Sequence, residues 1–310
     1  MITIKRILCP TDLSPYSGNA VRYAVALSRA YDAELVLLHC EPRSQGVDND
    51  EELGILESSV FEHVDPSDLA GVRWRAVVAT TDDVGEEIMN QAQTERADLI
   101  VMRSRRRPHR AALLGSTAES VCRRAPCPVL VMHNDERESI HDGLQIKLKR
   151  VLVAYDFSDY AELALKYGLS LAQEHQAELH LLHVLPPRSL NEPEIAWYPT
   201  KSESAYHTAA RRLQRVVPVD VHLWCDIKTG VSEGQPYREI LNYAEKNEID
   251  LISVGAHGAG FGMRALFGSN VDRVLRQAPC PVLVARPLKP GQANGVTKVS
   301  ERAEVESAFV

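Results

Sequence analysis

The segment Gly255 to Asn270, GAHGAGFGMRALFGSN, holds the residue types that phosphate chemistry needs. Gly255 and Gly258 carry no Cβ, so the backbone there can approach a ligand closely. Gly268 and Ser269 sit at a helix start, where unpaired N–H groups and the positive end of the dipole suit an anion. Ser269 adds a hydroxyl, and with Asp272 it reads as a capping box. Two familiar phosphate motifs are absent. The chain has no GxxxxGK[ST] loop. Gly258, Gly260 and Gly262 imitate a dinucleotide fingerprint, but position 263 is Met263 and the loop does not follow the first strand of its half. Other chemistry is thinly represented. The six cysteines are scattered, with Cys122 and Cys127 the closest pair, and read as small buried hydrophobes of a reducing compartment.

The elements that must position this loop emerge from an internal repeat. RAPCPVLV (Arg124 to Val131) recurs as QAPCPVLV (Gln277 to Val284), and ADLIVM (Ala97 to Met102) as IDLISV (Ile249 to Val254). KRILCPTDLS (Lys5 to Ser14) recurs as KRVLVAYDFS (Lys149 to Ser158), and AELVLLHC (Ala33 to Cys40) as AELHLLHV (Ala177 to Val184). The segments keep their order, so the chain is two copies of one domain, each of roughly 140 residues. The boundaries read as residues 1–135 and 148–288, with a polar linker at 136–147 and a loose tail at 289–310.

In each half short apolar runs alternate with helical patterns. Strands are expected at Ile4 to Cys9, Leu35 to His39, Trp74 to Ala79, Leu99 to Met102 and Pro128 to Val131. Their counterparts are Val151 to Tyr155, Leu179 to His183, Val219 to Trp224, Leu251 to Val254 and Pro281 to Val284. Ser14 with Pro15 reads as a helix start, as does Asp159 with Glu162 in a capping box. This alternation implies two tandem α/β doubly wound domains, each a five-stranded, mostly parallel sheet with helices on both faces. Ligands of such sheets bind beyond the carboxyl ends of the strands, where strand order reverses.

These segments together carry a resemblance. The second half matches the ATP-binding signature G-x2-G-x9-G-[ST] of the universal stress protein family as Gly255-x2-Gly258-x9-Gly268-Ser269. Both halves, essentially residues 1 to 290, resemble that family, in its tandem form. The resemblance implies an adenine-nucleotide alpha hydrolase-like fold and an ATP site. It places Asp156 near adenine and ribose, and Ala154 and Tyr155 where the family often has Pro-Thr. It places the backbone of Val184 against the adenine, and Gly255, His257 and Gly258, following Val254, along ribose and phosphates. Gly268, Ser269 and Asn270 would cradle the outer phosphates. Magnesium or manganese can accompany ATP, although no carboxylate cluster specifies a metal site. His183 and its repeat His39 read as packed rather than catalytic.

The first half departs from the pattern. Its loop reads MRSRRRPHRAALLGSTAES, one residue shorter, with Arg103 and Arg106 in place of the early glycines. Asp12, Gly115 and Ser116 remain, and Ser116 with Glu119 again reads as a capping box. Ordinary ATP binding is not expected there. The run Arg103, Arg105, Arg106, Arg107 and Arg110 reads as a solvated loop or as a site for phosphate or an anionic partner.

The formal net charge of −7 gives no reason to expect a nucleic-acid partner, and no apolar run is long enough to span a membrane. The N-terminal MITIKRILCPTDLS reads as a strand, not a secretory leader. The expected function is a cytoplasmic, ATP-binding stress-response protein acting by binding or signalling. The alternative is an ATP-hydrolysing or nucleotidyl-transferring enzyme. Against it, the loop has no placed nucleophile or general base, which leaves at most slow hydrolysis. The apolar PVLV strands are expected to bring the halves together as a pseudo-dimer, with a homodimer also possible.

Overall fold

The computed structural model describes residues 2–42, 49–104, 115–133, 140–141, 145–187, 201–258, 268–288 and 300–301. Its contacts divide the chain into two compact units, Leu148–Ala285 and Ile2–Lys147 with Arg286–Val310.

The first half runs β1 (Arg6–Thr11), α1 (Gly18–Tyr31), β2 (Glu34–Glu41), α2 (Asn49–His63), α3 (Pro66–Leu69) and β3 (Trp74–Thr80). It continues with α4 (Val84–Thr94), β4 (Leu99–Arg103), α5 (Ser116–Arg124) and β5 (Val129–Met132). A small antiparallel pair, β6 (Ile140–His141) and β7 (Gln145–Ile146), follows. The second half runs β8 (Arg150–Ala154), α6 (Asp159–His175), β9 (Glu178–Leu185), α7 (Lys201–Val216) and β10 (Ile227–Glu233). It closes with α8 (Pro236–Lys246), β11 (Leu251–Gly255), α9 (Ser269–Gln277) and β12 (Val282–Ala285).

Both sheets follow one topology. In the first half β1 pairs in parallel with β2 and β4, β2 with β3, and β4 with β5. In the second half β8 pairs in parallel with β9 and β11, β9 with β10, and β11 with β12. A short strand β13 (Ser300–Glu301) adds antiparallel to β3. Strand order therefore reverses between β1 and β4, and between β8 and β11. The crevice of a doubly wound sheet opens at that reversal. The central strands are buried on both faces: Ile7, Leu8 and Cys9 in one half, Val151, Leu152 and Val153 in the other. Of the cysteines, Cys9, Cys122, Cys127, Cys225 and Cys280 are buried and Cys40 is half-buried, all as free thiols.

Duplication extends to backbone detail. Non-glycine residues with positive φ fall at matched places: Leu13 and Phe157 (57° and 63°), Asp32 and Gln176 (49° and 51°), Arg96 and Glu248 (51° and 48°). Asp98 accepts hydrogen bonds from the N–H groups of Lys5 and Arg6, and Asp250 likewise from Lys149 and Arg150. Each carboxylate ties the start of a central strand to the segment entering its neighbour.

Several local expectations change. Val219–Leu223 is a 3-10 turn, and the strand lies later at Ile227–Glu233. Pro218 caps the turn, and within it Val221 is buried while Val219 and Leu223 are 85% and 87% exposed, so the apolar pattern there faces no sheet. The helix α6 is capped by Ser158, whose Oγ accepts from the Ala161 N–H at 3.1 Å, and not by Asp159. Glu162 instead accepts from the Tyr155 hydroxyl. Gly115 and Gly268 occupy the cap positions of α5 and α9, so Ser116 and Ser269 are first helical residues and cap nothing. Glu119 and Asp272, the supposed box partners, bind Arg123 and Arg276 one turn on.

Candidate functional site

In the second half the last residues of β8 and β11 converge at the strand-order reversal. Asp156 follows β8, and its Oδ1 accepts from the Ser158 N–H at 3.1 Å and the Ser158 hydroxyl at 2.6 Å. This Asx-turn needs the intervening Phe157 in the left-handed region, a conformation costly for a side chain without compensation. The turn therefore fixes the carboxylate and caps α6 with the same serine. The other carboxylate oxygen, Oδ2, faces the β11 loop: a Cβ built on Gly258 would stand 2.8 Å from it. A side chain at position 258 would therefore displace that carboxylate.

Gly255 has a different reason to be glycine from the one expected. A Cβ there would meet the Tyr160 backbone carbon at 2.7 Å and its carbonyl oxygen at 2.9 Å. Its bare face packs against the first turn of α6 rather than opening toward a ligand. His257 lies beside the same tyrosine, ring centroids 4.9 Å apart and edge to face. The start of α9 is drawn in by a backbone bond from Gly268 to the Ala256 carbonyl at 3.4 Å. A Cβ on Gly268 would make only ordinary contacts, and Ser269 and Asn270 are exposed. Val254 is buried in β11, and Val184 lies half-buried near the end of β9, paired with Ser232. Asp156 therefore meets Gly258 at the strand-order reversal, Gly255 and His257 lie against Tyr160, Ala154 and Tyr155 close β8 beside them, and Gly268 is tied to the loop through Ala256. The loop 259–267 lies outside the described residues.

Tyr155 is buried, and its hydroxyl donates to Glu162 at 2.7 Å. Burial, then the hydrogen bond to the Glu162 carboxylate, push its ionisation far above the usual tyrosine range. Its carbonyl contacts His183 Nδ1 at 2.7 Å, tying the ends of β8 and β9 together. Phe157 packs on both Tyr155 and His183, and Arg212 of α7 stacks 3.9 Å above the Phe157 ring. Phe157, His183 and Arg212 line a shallow pocket of about 340 Å³ with Ser204 and Thr208.

In the first half the same frame carries different side chains. Asp12 accepts from the Ser14 N–H and hydroxyl, as Asp156 does from Ser158. His39 contacts the Thr11 carbonyl at 3.0 Å through Nδ1 and the Glu41 carboxylate at 2.5 Å through Nε2. Where Gly255 tucks against Tyr160, Arg103 ends β4 and lays its guanidinium 4.9 Å over the ring of Tyr16. Thr11 stands where the second half has Tyr155, and its hydroxyl bonds Ser17 at 2.8 Å. A cavity of about 490 Å³ opens here. Asp12, Arg103, Gly115 and Ser116 all border it, together with Leu38, Cys40 and Ile88. Burial, with smaller contributions from Glu87 and Glu41, pushes the Cys40 thiol up to about 12. Arg106 and the rest of the arginine run lie outside the described residues.

Sequence reasoning passed over Tyr160 and Tyr16. The repeat held the signal, because both follow the strand-end aspartate by four residues. Phe157 and Arg212 were also missed, and no motif marks them. Among the described residues no group of three or more His, Cys, Asp or Glu side chains could hold a metal ion. Nor is any described helix long and apolar enough to cross a membrane.

Comparison with known proteins agrees with this geometry. A family model described as the universal stress protein family matches residues 3–133 and again 147–286. A universal stress protein of Methanocaldococcus jannaschii is 31% identical over 139 residues, covering 44% of this chain and 82% of that protein. One from Mycobacterium tuberculosis is 31% identical over 222 residues, 69% of each chain. The crystal structure of a universal stress protein from Archaeoglobus fulgidus superposes with a TM-score of 0.62 at 25% identity, covering 91% of this chain and 98% of that one.

Proposed function

This chain belongs to the universal stress protein family and carries two copies of its domain, and from that we propose that it binds ATP or another adenine nucleotide in its second half. One observation carries the reading: Gly258 lies so close to the fixed Asp156 carboxylate that a Cβ would fill the space between them. Bare backbone and an anchored acceptor thus share one crevice at the strand-order reversal. That pairing suits a ligand with ribose hydroxyls to donate and phosphates to accept backbone N–H groups. In this reading Asp156 accepts from the ribose, the backbone of Val184 meets the base, and Gly255 to Gly258 with the start of α9 follow the phosphates. A magnesium or manganese ion, if bound, would ride on the phosphate oxygens.

The proposed role is binding and signalling in a cytoplasmic stress response. The hydroxyls that meet carboxylates here serve structure, Ser158 as the α6 cap on Asp156 and buried Tyr155 on Glu162, which favours occupancy over turnover. The proposal includes the two halves associating as a pseudo-dimer, with dimerisation of whole chains a further possibility. The deciding experiment is to extract and identify the nucleotide that co-purifies with the full chain, then titrate the stripped protein with ATP by calorimetry. Binding at one site per chain, lost in Gly258→Arg with the fold intact, is expected. Unchanged affinity in that variant would remove the reading.

A further inference from the structure

β3 and β10 are one strand repeated, and among the described residues only β3 has a strand on its outer side. The repeat sets Leu35 against Leu179. Leu35 pairs with Trp74 at the start of β3, and Leu179 with Ile227 at the start of β10. Val77 and Val78 therefore correspond to Gly230 and Val231. In the first half β13 lies antiparallel on β3, with Ser300 opposite Val78 and Glu301 opposite Val77. In the second half β9 is the one strand paired with β10 among the described residues. Hydrogen bonding decides which groups β10 turns outward. The Asp226 carbonyl accepts from the Leu179 N–H, and the Gly234 N–H donates to the Leu185 carbonyl. Even-numbered residues of β10 thus face β9, and the backbone groups of Ile227, Thr229 and Val231 point away from it. β3 obeys the same rule: Arg73 and Thr81 bond to β2, which turns Val78 toward Ser300. Thr229 is exposed and Val231 half-buried, so solvent reaches this row of donors and acceptors. Such an edge is a template for a further strand.

We propose that the outer edge of β10 accepts, as an added antiparallel strand, the tail segment around Ser300 and Glu301 of a second copy of this chain. The equivalence of β3 and β10 supplies the register, Ser300 opposite Val231 and Glu301 opposite Gly230. In that register Glu301 is the diagonal neighbour of Lys228, a pair of opposite charges, where β3 carries Arg75. Lys228 meets Glu178 on its own sheet and still has an exposed side chain. Residues 298–306 hold neither proline nor glycine, so nothing in the tail sequence interrupts a ladder. Within one chain the tail pairs with β3 over two residues, a short hold that exchange can release. Dilution favours the tail on its own β3, and concentration favours exchange. Reciprocal exchange, each tail on the other copy's β10, closes a two-fold dimer. β10 lies at the end of its sheet, beyond β9 and away from the β8–β11 reversal, so the nucleotide reading plays no part.

The test titrates the full chain with a peptide copying residues 296–306, against a scrambled peptide, in wild type and Thr229→Pro. Proline at 229 removes an outward donor and spares the bonds to β9, a placement that edge strands tolerate. Thr229→Pro should therefore melt like wild type while binding the peptide roughly tenfold or more weakly. Hydrogen exchange followed by NMR on the wild-type chain gives a readout that needs no variant. Saturating peptide should slow the amides of Thr229 and Val231 and leave those of Lys228 and Gly230, which face β9, unchanged. Sedimentation of the full chain alone should show a dimer that grows with concentration and is lost in Thr229→Pro. Equal binding of the scrambled peptide, wild-type affinity in a folded Thr229→Pro, or no peptide binding would overturn the proposal. So would exchange without that alternation, or a chain that stays monomeric at every concentration. If Thr229→Pro fails to fold, the exchange pattern decides.

Discussion

Gly255 and Gly258 occupy one signature, yet the structure gives them different duties, and alanine at each should separate the two. At Gly255 the new methyl would sit 2.7 Å from a backbone carbon of Tyr160, so relief requires the first turn of α6 to move. Overpacking of this kind costs about 1–3 kcal/mol. Alanine returns roughly 0.4–1 kcal/mol by restricting the unfolded chain, leaving a net loss of about 1–2 kcal/mol. For a domain of this size each kcal/mol moves the melting point by roughly 4 °C, so a fall of about 4–8 °C is expected. At Gly258 the methyl meets only the tip of a side chain, Asp156 Oδ2. That carboxylate can swing aside by giving up one of its two bonds to Ser158, worth about 0.5–1.5 kcal/mol. Alanine's return offsets much of this, so Gly258→Ala should melt within roughly 4 °C of wild type. Its ATP affinity should nevertheless fall about tenfold or more, because the displaced carboxylate enters the crevice. Scanning calorimetry on the full chain measures the stability. A Gly255→Ala protein that melts like wild type would refute the packing argument. A Gly258→Ala protein with wild-type affinity would refute the carboxylate argument.

Ser158→Ala removes the side-chain cap of α6 and the hydroxyl anchor of Asp156, leaving the backbone N–H anchor, so a loss of about 1–2 kcal/mol in chemical denaturation is expected, with weaker nucleotide binding. His180 is buried beside Tyr243 and Glu178, and burial lowers its proton affinity despite the carboxylate. The unfolded chain therefore binds the extra proton more readily, and the stability this group contributes is present above the usual histidine range and lost as pH falls through it. His180→Val, which copies Val36 of the first half, should show a smaller drop in melting temperature than wild type between pH 7.5 and 5. Burial pushes the Cys9 and Cys127 thiols up to about 12, so both should resist iodoacetamide at pH 8 in the folded chain and react once it is unfolded, as read by mass spectrometry.

The sheet was legible because central parallel strands are written as continuous apolar runs, and the repeat let each half check the other. The exception is β10. Its sequence IKTGVSE has no apolar run, since an end strand with exposed Lys228 and Thr229 needs none, whereas the nearby VDVHLW offered a false alternation. Helix starts were misread by one residue at α6, α5 and α9. The [ST]-x-x-[DE] pattern appears at α5 and α9, and its aspartate variant Asp159-x-x-Glu162 at α6, but only the backbone decides which residue is the cap, and at α5 and α9 it is glycine. Of the site, Asp156 and Gly258 were visible through the signature. The part played by Gly255 was not, because what lies opposite a missing Cβ is a fact of packing. The first-half cavity was hidden for a related reason: Arg103 reads as an obstruction until Tyr16 is seen to hold it to one side.

That matched pair of tyrosines shows how a duplicated domain diverges at small structural expense. Opposite Tyr160 the chain presents a glycine, and opposite Tyr16 an arginine, while the strands on either side keep the same register. The ring serves as a floor for the main chain in one copy and as a rest for a cation in the other. Divergence of this kind is confined to the residues just past a strand, so selection can act on one crevice without disturbing the core of either. Because both copies are translated as one polypeptide, the two unlike crevices are always produced in a one-to-one ratio, whatever the level of expression.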